Sequence, residues 1–382
     1  MASRPSLAPA SGPGLGEKLL AINWPLVALV TLLGLVGYGL LYSAGGGSHT
    51  PWAARHGIRL VVMLGLMIAL ALVDIRRLFA LAYPLYALVL LMLVAVEIVG
   101  SINKGAQRWI DLGFIQLQPS ELMKLALILA LARYFHAAYL DEVRRPLFLL
   151  PPVLMILLPV GLVLKQPDLG TAVMLGVVGT AMLFLGGVAL WKFLLAGALA
   201  GAALPIAWSQ LHDYQRQRVY TFLDPESDPL GSGYHIIQSK IAIGSGGLWG
   251  KGYLEGSQAQ LSFLPEKHTD FAFTMLAEET GFLGAVAVLG LVAAIVVVGT
   301  GIAVRAESQF TRLLAAGVTC NFALYALVNV AMVTGLIPVV GVPLPLVSYG
   351  GTAMLTVMLG FGLLLNAQVN RETTIPRFPV DL

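Results

Sequence analysis

Glu266, Lys267, His268 and Asp270 fall within five consecutive positions of FLPEKHTDFAF, residues 263 to 273, in a chain with only 11% charged residues. A carboxylate beside an imidazole and an ammonium is the material for proton transfer and for holding an anion. Two other stretches carry the same mixture. QRWIDLGFIQLQPSELMK holds Arg108, Asp111, Glu121 and Lys124, and KQPDLGT holds Lys165 and Asp168.

Each acidic residue also has a structural use. Asp270 stands before an apolar run reaching about residue 302, so its side chain could cap a helix by accepting the first free backbone N–H groups. From the pattern alone, cap and catalytic carboxylate stand level, and the roles are not exclusive. Glu121 and Lys124, at i and i+3 behind Pro119 and Ser120, share a helix face and could simply pair, with Glu121 favoured at the positive end of the helix dipole. Asp168 reads first as the cap of the helix entering at Gly170.

The elements that must position these groups are membrane helices. The 382 residues are 58% hydrophobic with mean hydropathy +0.83, whereas a soluble domain carries roughly a quarter charged residues. Repeated apolar runs match the roughly 17 to 25 helical residues needed to cross a hydrocarbon core. The fold class expected is an all-α integral membrane protein with about ten transmembrane helices, near 24–43, 57–74, 79–100, 120–137, 147–164, 170–188, 190–208, 272–301, 311–335 and 351–368. Arg76, Arg77, Arg144, Arg145, Lys192, Arg305, Arg312, Arg371 and Arg377 fall on one side if both termini are cytoplasmic. The stretches around Arg108 and Asp168, and a large loop over 209–271, then face outward.

Residues 1–20, rich in Pro, Ala, Ser and Gly, read as a disordered tail, 21–370 as one polytopic domain and 371–382 as a cytoplasmic tail. The net charge of +3 is spread over short loops, which argues against nucleic acid as a partner. Cys320, the only cysteine, excludes an intramolecular disulfide and reads as a small buried hydrophobe. The glycine tract ending at Lys251 has Ser245 and Gly252 where a phosphate-binding loop needs Gly and Ser or Thr, so no nucleotide is expected. Its glycines instead let the backbone turn and approach a neighbour or a ligand closely.

Pro338, Pro343 and Pro345 break the stretch GLIPVVGVPLPLVSYGG. Irregular backbone at membrane depth is tolerated only where protein buries it or it lines a water-filled cavity, so a re-entrant segment facing an outward cavity is expected. Such a cavity would gather the charges described above. It suits an anionic, lipid-linked substrate, with Arg108 and Lys124 on a phosphate or pyrophosphate and one carboxylate taking a proton from a hydroxyl nucleophile. A secondary transporter also uses broken helices and intramembrane charges, but no paired half-repeat shows.

QRWIDLGFIQLQPSE, QPDLGTA, FLDPESDPLGSGYHIIQSKIAIGSGGLWGKG, FLPEKHTDF and PLPLVSYGG, in this order and spacing over about residues 25–370, resemble the signatures of the SEDS proteins (shape, elongation, division and sporulation). EGSQAQLSFLPEKHTDF is more similar to the branch serving rod shape than to the branch serving division. The resemblance implies a glycosyltransferase of the bacterial inner membrane that polymerises lipid II into glycan strands for cell elongation, with a class B penicillin-binding protein as partner. Carried over by position, the family's essential aspartate falls on Asp270. It would deprotonate, directly or through a divalent cation such as Mg or Mn, the hydroxyl that attacks the donor sugar with inversion. Arg108, Lys124 and Lys267 become candidates for the pyrophosphate; Glu121 and Asp168 would orient them or hold a metal with Asp270. His268, Ser348 and Tyr349 complete the candidate set. The rival readings are a lipid II flippase and a non-catalytic scaffold for the penicillin-binding protein.

Overall fold

In the computed structural model, residues 14–103, 106–111, 113, 116–210, 213–227, 232–260, 263 and 266–377 are described. Residues 1–13 and 378–382 of the two expected tails lie outside them. The chain runs through α1 (Leu15–Ala21), α2 (Trp24–Ala44), α3 (Ala53–Ala71) and α4 (Ile75–Val99) into a small antiparallel sheet of β1 (Ser101–Asn103), β2 (Ala106–Asp111) and β3 (Gln116–Leu117), paired in that order. There follow α5 (Pro119–Ala137), α6 (Leu140–Val143), α7 (Leu150–Lys165), α8 (Leu169–Leu185) and α9 (Leu190–Gln210). Three helices then cross the region expected as a loop: α10 (Asp213–Leu223), α11 (Ser232–Ser245) and α12 (Ser257–Gln260). Finally come α13 (Ala272–Arg305), α14 (Gln309–Val333) and α15 (Gly351–Val369).

Each of the ten expected spans falls on a helix, and among the described residues seven helices are long and apolar enough to cross a membrane. The other three are α5, which carries Glu121, Lys124 and Arg133, and α8 and α9, whose apolar stretches are shorter. Helices suit this setting because they satisfy their own backbone hydrogen bonds where water is absent. α5 packs against α4, α7, α8, α14 and α15 and is buried on almost every face, the pattern of an inner helix. That position lets it keep charges that a lipid-facing helix would exclude.

The helical membrane fold expected is the one observed, with one addition: the chain between α4 and α5 forms a small antiparallel sheet in which Ser101 pairs with Trp109 and Asp111 with Gln116, satisfying its backbone groups locally. Two expectations are corrected. The presumed N-terminal tail ends early: Leu15–Ala21 is a helix, and Lys18 Nζ donates to the Leu72 carbonyl at 3.0 Å. The 209–271 stretch is largely helical, with the Ser239 hydroxyl of α11 buried between Thr274 and the Val333 carbonyl, 2.7 Å from each.

Two structural breaks shape the site. The proline-rich stretch after α14 stays non-helical from residue 336 to 350, and α8 can lie against it because a side chain at Gly170 would collide with the Val340 carbonyl. α13 breaks at Gly281, whose φ of 68° is the left-handed region that glycine adopts freely. The glycine tract fills that break: Lys251 and Gly252 N–H donate to the Glu278 and Glu279 carbonyls at 3.0 and 3.1 Å, and Phe282 and Leu283 N–H donate to the Gly247 and Leu248 carbonyls at 2.9 and 3.2 Å. The glycines thus approach a neighbouring helix closely, replacing the hydrogen bonds that the kink removes.

Candidate active site

A cavity of about 450 Å³ opens where β2, the start of α5, the α7–α8 link, the turn before α13, the middle of α14 and the broken segment meet. Its lining brings together Asp270, Arg108, Glu121, Lys124, Asp168 and Tyr349, six of the side chains that the sequence singles out.

At the α7–α8 link, Asp168 is the N-cap of α8, accepting from the Thr171 N–H at 3.1 Å and the Thr171 hydroxyl at 3.0 Å. The cap reading therefore holds for Asp168, and it does not exhaust the side chain. Gln118 Nε2 donates to the same carboxylate at 3.2 Å, and Arg108 lies 3.7 Å from it. Arg108 also donates to the carbonyls of Gln166, at 3.1 Å, and Pro167, which fix its guanidinium at the cavity wall with 29% of the side chain exposed. A cation held by backbone oxygens keeps donors free for an incoming anion.

Beneath lies a closed triad. Lys124 Nζ donates to Glu121 at 2.6 Å and to the Tyr325 hydroxyl, which in turn donates to the other Glu121 oxygen; Lys124 also sits 4.2 Å from the Tyr325 ring centre. All three are buried, with Lys124 only 1% exposed. The pairing expected for Glu121 and Lys124 is realised, and because each charge meets the other, the pair can sit at membrane depth.

Asp270 differs. The N-cap of α13 is Phe271, which makes no side-chain cap, so Asp270 stands one residue before the helix boundary and is half-buried on the cavity. Its backbone is anchored instead. The buried Asn329 amide of α14 donates to the Asp270 carbonyl at 2.9 Å and to the Val342 carbonyl at 2.7 Å, tying the acidic turn to the broken segment. On the other side of the turn the Tyr349 N–H donates to the His268 carbonyl at 2.7 Å.

Three candidates lie off the cavity lining. Lys267 is half-buried, and burial lowers its ammonium pKa below the ordinary lysine value, with Glu279 opposing the shift. His268 stacks on Trp52 with ring centres 4.6 Å apart. The Ser348 hydroxyl accepts from the Leu344 N–H at 2.9 Å and so shapes the chain leading to Tyr349.

Tyr325 and Asn329 were not among the candidates that the sequence offered. One signal could have found them: Asn321, Tyr325 and Asn329 recur every four residues in an otherwise apolar run, marking one polar face of a membrane helix. As chemistry, the cavity offers a carboxylate on a clamped turn, a guanidinium on β2 held by carbonyls of the α7–α8 link, and a neutralised polar floor. Such groups have the chemistry to accept a proton from a hydroxyl and to hold a phosphate nearby.

The family of cell cycle proteins typified by FtsW, RodA and SpoVE matches residues 19–373. The chain is 44% identical over 350 residues, 91% of its own length and 94% of the relative's, to the peptidoglycan glycosyltransferase MrdB of Escherichia coli. It is 38% identical over 358 residues, 90% of this chain and 93% of the relative, to a probable peptidoglycan glycosyltransferase FtsW of Trichlorobacter lovleyi. Among solved structures, a chain from work on the coordination of polymerization and crosslinking by a peptidoglycan synthase complex matches with TM-score 0.80 and 35% identity, over 93% of this chain and 100% of that one. The rod shape determining protein RodA of Thermus thermophilus matches with TM-score 0.70 and 32% identity, over 93% and 99%.

Proposed function

The chain belongs to the family of FtsW, RodA and SpoVE cell cycle proteins, and from that premise we propose how this peptidoglycan glycosyltransferase makes its product. The substrate is lipid II, and the reaction is inverting transfer. Asp270 takes the proton of the C4 hydroxyl on the acceptor's N-acetylglucosamine as that oxygen attacks C1 of the donor's N-acetylmuramic acid. The C1–O bond to phosphate breaks, and undecaprenyl pyrophosphate leaves with the bonding electrons. An α-linked donor giving a β-1,4 bond requires one displacement, so a single base suffices and no covalent sugar intermediate forms. Arg108 holds the departing pyrophosphate, since a guanidinium offers paired donors to phosphate oxygens.

The observation carrying this reading is the shared cavity, on which the half-buried Asp270 and the backbone-held Arg108 both open while Glu121 and Lys124 neutralise each other. An ordinary aspartate, with pKa near 3.9, is a weak base toward an alcohol, so its placement must compensate. The Asn329 clamp supplies that placement. Among the described residues no three His, Cys, Asp or Glu side chains come together as a metal centre. One or two of the carboxylates Asp270, Glu121 and Asp168, with the pyrophosphate, would hold a divalent cation such as Mg or Mn, which would lend positive charge to the leaving group; no step is routed through one.

As a multi-pass inner-membrane protein, the chain would hold both termini in the cytoplasm and turn the cavity outward, where lipid II is consumed. The crosslinking half of the synthase complex suggests a class B penicillin-binding protein as its partner. The test is gel-resolved polymerisation of purified lipid II by the complex, with the partner's transpeptidase blocked, comparing native protein with Asp270→Asn, each with and without a chelator. Long strands from the native protein alone support the assignment. Equal strands from both remove Asp270 from the chemistry, and lipid movement without strands would indicate a flippase.

A further inference from the structure

Among the described residues the cavity lining supplies two cations, Arg108 and Lys124, and each already meets a carboxylate, Asp168 and Glu121. Joining two polyprenyl-linked sugars brings two pyrophosphates to this space. Two such anions in a partly desolvated site repel strongly, so the second calls for a cation beyond Arg108.

Arg59 of α3 meets the requirement. Its guanidinium carbon lies 5.1 Å from the centre of the Tyr349 ring, and a Cβ placed on Gly351 would lie 3.3 Å from that same carbon. Tyr349, Gly350 and Gly351 line the cavity and Arg59 does not, so the guanidinium stands behind this edge, against the residues that form it. Among the described residues Arg59 forms no salt bridge, and it rests on the face of a tyrosine. Stacking on an aromatic face holds the planar group while leaving its N–H donors available in the ring plane's surroundings. Tyr349 is in turn bonded through its N–H to the His268 carbonyl, two residues before Asp270. An anion bound at Arg59 would therefore be held against the same turn that carries the base. Arg108 belongs to a different wall, built from β2 and the α7–α8 link.

We propose that Arg59 binds the pyrophosphate head of a polyprenyl-linked sugar, separately from the head held at Arg108. This rests on the glycosyltransferase reading above. The ligand chemistry is the same whether the head belongs to donor or acceptor, and the experiment separates the two.

Arg59→Gln and Arg59→Lys are assayed for strand synthesis from lipid II in complex with the partner, its transpeptidase blocked, with undecaprenyl pyrophosphate as inhibitor and thermal unfolding as a check on folding. Arg59→Gln should raise the apparent KM about 10- to 100-fold, the range set by one hydrogen bond to a charged group, with a much smaller change in kcat. Arg59→Lys should recover most of the loss. If the head is the donor's, inhibition by undecaprenyl pyrophosphate weakens in parallel; if it is the acceptor's, inhibition is unchanged and strands shorten at fixed lipid II. Binding of undecaprenyl pyrophosphate to Asp270→Asn, with and without Arg59→Gln, tests the anion site without turnover, so an error about the base does not obscure the result. Native KM, inhibition and strand length in Arg59→Gln would overturn the proposal. So would a loss of kcat or of thermal stability that lysine does not restore, which would make Arg59 a structural residue.

Discussion

Replacing Asn329 by alanine isolates the clamp on the turn that carries Asp270, the base proposed above. Its amide donates to two carbonyls, Asp270 at 2.9 Å and Val342 at 2.7 Å, from a fully buried position. A buried acceptor that loses its donor costs about 1–3 kcal/mol, so two such losses set an upper range of about 2–6 kcal/mol. The cavity lies beside this turn and lets water replace part of the lost bonding, which places the expected loss near the lower end, about 2 kcal/mol. The effect on rate should be larger, because a shift of about 1 Å in a reacting group costs about 100-fold. Asn329→Asp should be worse than Asn329→Ala, since a carboxylate cannot donate to either carbonyl and adds a buried charge. The assay is initial strand synthesis from lipid II, beside thermal unfolding of the same preparations. Native kcat in Asn329→Ala, or an aspartate variant no worse than alanine, would refute the argument that this amide positions Asp270.

The buried triad makes a second test: Lys124→Met leaves Glu121 without its cation and should lower stability by about 3–5 kcal/mol, seen as a fall in unfolding temperature, while Lys124→Met with Glu121→Leu should recover much of that loss. At the kink, Gly281→Ala must adopt a φ of 68° and push its Cβ into Gly250 and Leu248, whereas Gly290→Ala meets nothing within 4 Å; only the first should lower the unfolding temperature. Asp168→Ala removes the α8 cap while the Gln166 and Pro167 carbonyls still hold Arg108, so it should cost about 1 kcal/mol of stability, read as a fall in unfolding temperature, without raising the KM for lipid II.

Much of the molecule is local in sequence and could be read there. Apolar runs long enough to cross a bilayer place the seven long apolar helices because the length and composition of each run decide its state without reference to the others. The three prolines after α14 end that helix wherever it packs. The motifs also placed Asp270, Arg108, Glu121, Lys124, Asp168 and Tyr349 among the candidates, all of which line one cavity. What each carboxylate does was not local. Asp168 caps α8 and Glu121 is neutralised by Lys124, whereas Asp270 stands outside the helix it precedes; neighbouring residues allowed all of these roles for each of them. The choice came from residues far along the chain, Tyr325 reaching Glu121 across 204 positions and Asn329 reaching Asp270 across 59. Hydrogen bonds at such separations exist only once the helices are packed, so the sequence determined which groups were present and the tertiary structure decided which charges paired with each other and which opened on the cavity.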